Sequence, residues 1–473
     1  MLDSKLIINH LIIYQMKKML YKILLFSTSI FMLTACEKVV DLAPETTLDA
    51  TTAYNNRQGV EAGLLGCYNA LQSTSYYGLE YWALADMYAG VISHTGTFPT
   101  FAQYANRGIL PDNTNTTNGW NQIYNGINRV NTVLESAEKI TDPAFAKTQT
   151  LGEAKFLRAL MYFDLLRAFG GSETGFTKQG RGVPLRTKAT LGTADAEPVA
   201  LATEAAVWTL INEDLDYAIA NLKANVSGRA TANAAKALKA RAAFYTKDYN
   251  TAETLATEVI NALKGTGTGL SSDYSALFLS QNTKPESIFE LAFDINNTNS
   301  IAFYYFPTAN GGRNEIGSSA TLVAQSSADG RKAMNVFLMG TTNKTKKYSR
   351  INGTDNVIII RLAEMYLTRA EARALKAVPD LTGALADLNV IRNRAGLENS
   401  TASDATTLVT EILADRYWEF VHEGHAFFDF KRTGRLATAL TGFSGANAFR
   451  ALYPTPQREI LNSAGKITQV TGY

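Results

Sequence analysis

The sequence predicts a single, predominantly α-helical domain in which helical hairpins pack beside a large irregular region. Two observations carry this prediction. Apolar residues recur at a spacing of three and four through most of the chain, which is the pattern of amphipathic helices. Residues 264–356 interrupt that pattern and are rich in Gly, Ser, Thr and Asn. With 473 residues, of which 46% are hydrophobic and 19% charged, the chain has the composition of a globular protein with a substantial core.

The N-terminal residues have the features of an export signal. Lysines precede an apolar run, residues 23–33, which is too short to span a bilayer but has the length of a signal-peptide core. The run ends in Leu33-Thr34-Ala35-Cys36, which resembles a bacterial lipobox. We therefore expect residues 1–35 to be a lipoprotein signal peptide and Cys36 to become the lipidated first residue. An ordinary signal peptide with an incidental cysteine is the alternative.

The segment that follows, residues 36–56, is predicted to be an irregular tether, because it contains Pro44 and several threonines. The folded domain is then expected over residues 57–473. A lipid on Cys36 would hold this domain on a membrane without spanning it. The other cysteine, Cys67, is expected to be a small core residue.

Helical periodicity starts at residue 57 and defines the elements in order. Helices are predicted at Arg57–Leu71, Trp120–Lys139, Glu153–Phe169, Glu204–Leu222, 235–245, 252–263, 359–370 and 381–391. The helix ending at Phe169 is the clearest of these, because its apolar residues fall on one face and Gly170-Gly171 follows as a stop signal.

The short connections predict hairpins. Only Lys247-Asp248-Tyr249-Asn250 separates two of the helices, and a connection that short makes them antiparallel neighbours. The pattern Asp-Tyr-x-x-Ala at 248–252 resembles the second helix of a tetratricopeptide repeat. The register of the repeats alone allows two to four such units, over residues 120–263 and 357–396.

The intervening residues 264–356 are expected to form a loop-rich insert on the ligand side of the domain. Their apolar run, 287–295, is predicted to be a strand. A connection of this length inside a helical protein usually carries function rather than packing.

Several ordered segments together resemble the SusD/RagB family of nutrient-binding outer-membrane lipoproteins. They are Asp41-Leu42-Ala43-Pro44, Gly152–Gly171, 357–372, 384–397, 415–436, Pro454–Glu459 and Gln469–Tyr473. The stretch 415–436 is similar to the family's late signature, in which Glu423-Gly424 leads into an aromatic-Asp-x-x-Arg segment. His425 departs from the family's usual arginine, and Val470-Thr471 replace a more usual Asn-Pro.

The resemblance implies one α-rich domain with four tetratricopeptide-like units on one side and irregular loops on the other. It also implies a lipid-anchored protein of the outer-membrane surface that captures a glycan and hands it to a SusC-like TonB-dependent porin. No enzymatic activity, cofactor or catalytic residue is implied. Two alternatives remain open, a peptide-binding protein of the same family and a helical-repeat scaffold of the cell envelope. A hydrolase is the least favoured function, because nothing in the sequence brings a pair of carboxylates together.

Charge and histidine content argue against two other functions. Removing the four lysines and one aspartate of residues 1–35 leaves 41 basic and 42 acidic residues, so the body lacks the basic excess that nucleic-acid binding requires. His422-x-x-His425 lacks the spacing and the glutamate of a zinc-protease helix, so no metal site is expected.

Aromatic residues are the best candidates for a glycan site, because sugar rings stack on aromatic faces while their hydroxyls need polar partners. Three clusters stand out, around residues 76–86, around Phe98 and in the consecutive aromatics 303–306. The ligand-binding candidates are Tyr76, Tyr77, Trp82, Asp86, Phe98, Tyr304, Tyr305 and Phe306. Trp120 and Trp418, on predicted amphipathic helices, are expected to be core residues.

Overall fold

The computed structural model describes Tyr14, Met16, Lys18, Met19 and residues 53–224, 228–281, 284 and 286–473. The chain divides into two compact units, Met1–Ala53 and Tyr54–Tyr473. The predicted lipobox, its Cys36 and most of the predicted signal peptide and tether lie outside the described residues. None of the described helices combines the length and the apolar character needed to cross a bilayer.

Helices dominate the unit that starts at Tyr54. They are α1 Arg57–Leu71, α2 Glu80–Tyr88, α3 Pro99–Ala105, α4 Thr114–Lys139, α5 Lys147–Phe169, α6 Glu204–Asn221, α7 Ala232–Tyr245, α8 Tyr249–Leu263, α9 Tyr274–Leu279, α10 Ile301–Tyr305, α11 Ala320–Val323, α12 Lys332–Asn335, α13 Leu362–Leu375, α14 Leu381–Arg394, α15 Ala405–Phe420, α16 Ala426–Arg432, α17 Leu436–Ala439 and α18 Gln457–Asn462. Short 3₁₀ helices occur at Thr193–Asp195, Thr308–Asn310 and Gly445–Ala451.

Side-chain caps explain where several helices begin. Asn113, Thr203 and Asp248 each accept a hydrogen bond from the backbone N–H three residues further on, and so satisfy a donor that the first helical turn leaves free. The Asn113 cap places the start of α4 at Thr114, ahead of the predicted start at Trp120.

The long helices form a layer in which neighbours pack side by side. Nearly the whole of α5 is buried, and it packs against both α4 and α6. The layer continues as α8 packs against α7 and α13, and α13 against α14 and α15. The predicted fold class is confirmed, and the α7–α8 hairpin turns within three residues through Lys247, which has a φ of +61°.

Within the described residues, strands pair into four two-stranded antiparallel sheets, β1 with β5, β2 with β3, β4 with β8, and β6 with β7. Their bounds are β1 Ile92–His94, β2 Arg181–Pro184, β3 Leu201–Thr203, β4 Ser287–Leu291, β5 Ile316–Ser318, β6 Phe337–Met339, β7 Thr342–Lys344 and β8 Val357–Arg361. The prediction of a helix from residue 359 was wrong at its start, because the run Val357–Ile360 is rich in isoleucine and forms a fully buried strand before α13 begins at Leu362.

A network of buried ion pairs fastens α15 to its surroundings. The Glu419 carboxylate contacts the guanidinium groups of Arg331, Arg361 and Arg394. Glu286 contacts Arg361 at 2.8 Å and Arg394 at 3.1 Å. Because all five side chains are buried, each charge depends on the others for its compensation.

Candidate functional site

Most of the aromatic residues predicted to bind a ligand lie in the core, which corrects that prediction for them. The Tyr76 and Tyr77 hydroxyls both donate to Asp164, at 2.6 and 2.7 Å. The Trp82 ring stacks on Tyr348, with ring centroids 5.0 Å apart. Tyr76, Tyr77 and Trp82 are at most 5% exposed, so they have no free ring face to offer a sugar.

The same correction applies to three more candidates. Asp86 is fully buried and accepts a hydrogen bond from the Gly424 backbone N–H. The Tyr305 hydroxyl lies 2.7 Å from His422 Nδ1, inside the core. Phe306 is buried, and its backbone oxygen accepts a hydrogen bond from the N–H of residue 314. All three side chains are buried and are not available to a ligand.

The two histidines of the late signature are packing residues. His422 Nε2 lies 3.1 Å from both the Ser318 hydroxyl and the Asn335 carbonyl, so both ring nitrogens have protein partners. Burial and the nearby Lys347 lower the pKa of His422 to about 3, which keeps the ring neutral. His425 stacks on Phe420 with centroids 4.6 Å apart.

Phe98 and Tyr304 differ from the other candidates because both are only half-buried. Their ring centroids lie 6.1 Å apart, and Phe303 lies 5.8 Å from Tyr304. Phe303 is 42% exposed. Beneath them the buried Phe101 ring stacks on Tyr304 at 6.0 Å. We call Phe98, Phe303 and Tyr304 together the aromatic face.

Arg313 brings a charge to the edge of the aromatic face. Its guanidinium carbon lies 3.9 Å from the centroid of the Phe98 ring, which is the geometry of a cation–π contact. The same guanidinium donates to Glu315 Oε2 at 3.2 Å, and its side chain is 40% exposed. Arginine N–H groups are therefore available to a ligand that lies against the rings.

Glu315 fixes the segment that carries Phe98. Its Oε1 accepts the Phe98 backbone N–H at 2.7 Å and lies 2.9 Å from His94 Nε2. Burial raises the pKa of the Glu315 carboxyl, but the hydrogen bonds from Phe98, His94 and Arg313 outweigh it and the net pKa is lowered. The carboxylate thus stays charged and holds β1, the start of α3 and the strand β5 together.

A returning loop explains why residues 303 and 313 meet. The N–H groups of Arg313 and Glu315 donate to the carbonyls of Phe303 and Tyr304, at 2.7 and 2.8 Å. Gly311 supplies the left-handed backbone of this turn, with a φ of +80°, and a Cβ on Gly312 would lie 2.2 Å from a backbone oxygen. Sequence reasoning missed Arg313, Glu315 and His94, although the paired glycines after the aromatic run are the signal that could have predicted the turn.

The arrangement is suited to a hydroxyl-rich ring. Exposed aromatic faces can stack on the C–H faces of a sugar, while Arg313 donates hydrogen bonds to its hydroxyls. Among the described residues, no group forms a hydrogen bond with the Tyr304 hydroxyl, so it too is available. Nothing in this group resembles a nucleophile paired with a base.

A substitution at Gly96 tests how rigidly the Glu315 carboxylate is held. A Cβ on Gly96 would lie 2.3 Å from Glu315 Oε2, and Glu315 cannot yield without losing its bonds to Phe98 and His94. We expect Gly96→Ala to lower the free energy of unfolding by about 1–3 kcal/mol, the cost of disturbing hydrogen bonds to a buried charge. Urea denaturation measures it.

Gly108→Ala is the matched control for this prediction, because a Cβ there meets nothing within 4 Å. It should leave the unfolding free energy within about 0.5 kcal/mol of the parent. Equal stability of the two variants would show that the Glu315 cluster is not rigid.

Comparison with known proteins gives consistent results. The SusD family model matches residues 211–473, and a second family model, described as "Starch-binding associating with outer membrane", matches residues 51–245. SusD-like protein P38 of Formosa agariphila is 25% identical, over 92% of this chain and 95% of that protein.

Solved structures share the fold. A SusD superfamily protein of Bacteroides vulgatus, 22% identical, superposes with a TM-score of 0.76 and covers 89% of this chain and 99% of its own. A structure described as a laminarin-binding SusD-like protein, 24% identical, gives a TM-score of 0.73 and covers 89% of this chain and all of its own.

Proposed function

Because this chain belongs to the SusD family, whose model matches more than half of it, we propose that it binds carbohydrate, and that the aromatic face is where the glycan lies. The observation that carries the proposal is the partly exposed group of three rings bordered by Arg313. Stacking together with charge-assisted hydrogen bonding is the usual means of holding a neutral, hydroxyl-rich ligand.

The relatives support a carbohydrate as the ligand. One matching family model is described as starch-binding, and a protein of the same fold is described as laminarin-binding. Which glycan this chain prefers depends on the shape of the loops around the rings. Starch and laminarin are therefore the first polysaccharides to test, followed by other plant, host and microbial glycans.

We also propose the cellular setting. Cys36 carries a lipid that holds the domain at the outer-membrane surface, consistent with the description of the family model as associating with that membrane. The protein captures its glycan without cleaving it and delivers it to a SusC-like TonB-dependent porin. Hydrolysis would release new reducing ends, so an assay for reducing ends tests whether the protein cleaves its glycan.

Calorimetric titration of the lipid-free chain, Glu37–Tyr473, tests the binding proposal. We expect Tyr304→Ala and Phe303→Ala each to weaken glycan binding roughly tenfold, because each removes one stacking ring. Tyr304→Phe should retain the stacking and lose only the hydroxyl contact.

Leu338→Ala is the control, because Leu338 is a large apolar residue, 66% exposed, on β6 and outside the aromatic face. If neither ring substitution weakened glycan binding, the site would lie outside the aromatic face. Heat from a mixed peptide pool, with none from any glycan, would favour the peptide-binding alternative. If neither glycans nor peptides bound, the helical-repeat scaffold of the cell envelope would be the remaining alternative.

A further inference from the structure

A second concave surface lies where α4, the loop after β2 and the C-terminal segment meet. It has a volume of about 500 Å³, which is within the range of small-ligand pockets. Its lining includes polar residues of α4 and α18, namely Asn121, Asn125, Arg458, Glu459 and Asn462, beside Trp120 and Tyr124. We call it the asparagine cleft, and it shares no lining residue with the aromatic face.

Four asparagines in the middle of α4 fall into two groups. Asn128 donates to the Thr190 carbonyl at 3.0 Å and accepts the Thr190 N–H at 2.7 Å. Asn131 donates to the carbonyls of Arg186 and Lys188, at 2.9 and 3.1 Å. These two asparagines therefore hold the loop after β2 against α4.

Asn121 and Asn125 have no such role. They are one helical turn apart on α4 and both line the cleft. Within the described part of the chain, their side chains make no hydrogen bond, and the same holds for Asn462 and for the charged groups of Arg458 and Glu459. Asn121 and Asn125 differ from the other asparagines of the helix because they place two unpartnered amides in the cleft, where a ligand can reach them.

The walls of the cleft are held in place without these residues. The Tyr124 hydroxyl donates to the Pro184 carbonyl at 2.8 Å, and Lys466 Nζ donates to the Pro198 carbonyl at 2.9 Å. The Gln457 N–H donates to the Pro111 carbonyl at 2.9 Å, which joins the start of α18 to the segment before α4. A cleft whose walls are already fixed loses little conformational entropy when it binds a ligand.

The chemistry of the lining selects the class of ligand. Each asparagine offers both a donor and an acceptor, which matches neighbouring hydroxyls on a ring. A divalent cation is disfavoured, because Glu459 is the one acidic residue that lines the described cleft and the guanidinium groups of Arg186 and Arg458 line it too. The two guanidinium groups would also suit an anion, so inorganic phosphate is the ligand from which the sugar has to be distinguished. We propose that the asparagine cleft is a second binding site for a neutral sugar unit of mono- to disaccharide size.

This inference extends the proposed function, since it adds a separate saccharide site to the same chain. A free disaccharide and the end of a longer glycan share the chemistry that the cleft would recognise. Their difference is in valency, because a long glycan that reached both sites would bind more tightly than either site alone allows.

Ligand-detected NMR titration of the Glu37–Tyr473 chain with maltose and laminaribiose tests the proposal. We expect saturable binding that weakens at least tenfold in the double variant Asn121→Ala/Asn462→Ala. Asn118→Ala is the matched control, because Asn118 is an exposed asparagine of the same helix that does not line the cleft. All of these titrations are made in the Tyr304→Ala background, so that stacking on the aromatic face does not contribute to the binding that is measured.

Three outcomes would overturn the cleft assignment. They are no saturable binding of either disaccharide in the Tyr304→Ala background, binding that the double substitution in that background does not weaken, and competition in which inorganic phosphate displaces the sugar. The proposed function is tested separately, by titrating long glycans against the aromatic-face variants. Thermal unfolding of the double variant shows whether its fold is intact, and single Arg458→Ala, on an exposed side chain, repeats the test if it is not.

Discussion

Glu419→Gln is expected to lower the free energy of unfolding by about 3–5 kcal/mol, the range for removing one partner from a buried ion-pair network. The carboxylate contacts three arginines, Arg331, Arg361 and Arg394, and all are buried. A neutral amide of the same shape would leave these positive charges with less compensation. Glu286 and Asp415 would then have to balance them from their present positions.

The pH dependence follows from the same contacts. Burial raises the pKa of Glu419, but Arg394, Arg361 and Arg331 outweigh it and lower the pKa well below the ordinary 4.5. A carboxyl with a lowered folded-state pKa contributes stability above its unfolded pKa and loses it as the pH falls toward the folded one. The advantage of the parent protein over Glu419→Gln should therefore be full at pH 7 and shrink below about pH 4.5.

Urea denaturation at pH 7 and pH 4 measures both effects. Glu398→Gln is the control, because Glu398 is exposed and its side chain joins no ion pair among the described residues. A loss below about 1 kcal/mol in Glu419→Gln would mean that the arginines find other partners or water.

Local sequence patterns predicted the helices well, because helix formation depends on neighbours three and four residues apart. The α7–α8 hairpin followed from a short connection. The start of α13 could not be predicted from local patterns, because the strand β8 that precedes it pairs with β4, some seventy residues earlier in the chain. The insert 264–356 was predicted to be loop-rich, and it contains short helices and strands. Its strands β4 and β5 pair with β8 and β1, which lie far away or outside the insert, whereas β6 pairs with its neighbour β7.

Contacts between residues far apart in sequence also explain why most of the predicted binding residues were wrong. Tyr76 and Tyr77 resemble an exposed aromatic cluster until Asp164, 88 and 87 residues away, is seen to accept both hydroxyls. Phe98 and Tyr304 remain candidates because their neighbours leave part of each ring open. Trp120 is buried as predicted, yet it borders the asparagine cleft, and no periodicity distinguishes the asparagines that bind a loop from those that do not.

Asp86 was predicted to contact a ligand, and the structure gives it a different role. It joins α2 to the turn at Glu423-Gly424, since its Oδ2 accepts the Gly424 N–H at 3.1 Å. Gly424 has a φ of +77°, and a Cβ there would lie 2.5 Å from Trp82 Cβ, so the turn requires glycine. Glu423 in turn binds Arg361 at 2.8 Å, which links this contact to the ion-pair network.

Burial raises the pKa of Asp86 from 3.8 to about 7, although N–H groups of Gly424 and Ala426 act in the opposite direction. A carboxyl with a raised folded-state pKa stabilises the fold while it is protonated, and that contribution is lost as the pH rises from about 4 through 7. A shift of about three pKa units corresponds to about 4 kcal/mol. Asp86→Asn removes this titration, because an amide stays neutral at every pH.

The stability of Asp86→Asn relative to the parent protein should therefore rise by up to about 4 kcal/mol between pH 4 and pH 8. Comparing the two pH values removes any constant effect of the amide on packing. Asp112→Asn, at an exposed position, should show no such change. A difference between Asp86→Asn and parent that is the same at both pH values would show that Asp86 stays ionised in the folded protein. The carboxylate would then be compensated by Lys347, whose charge already lowers the pKa of Asp86, and Lys347→Met would destabilise the parent more than it destabilises Asp86→Asn.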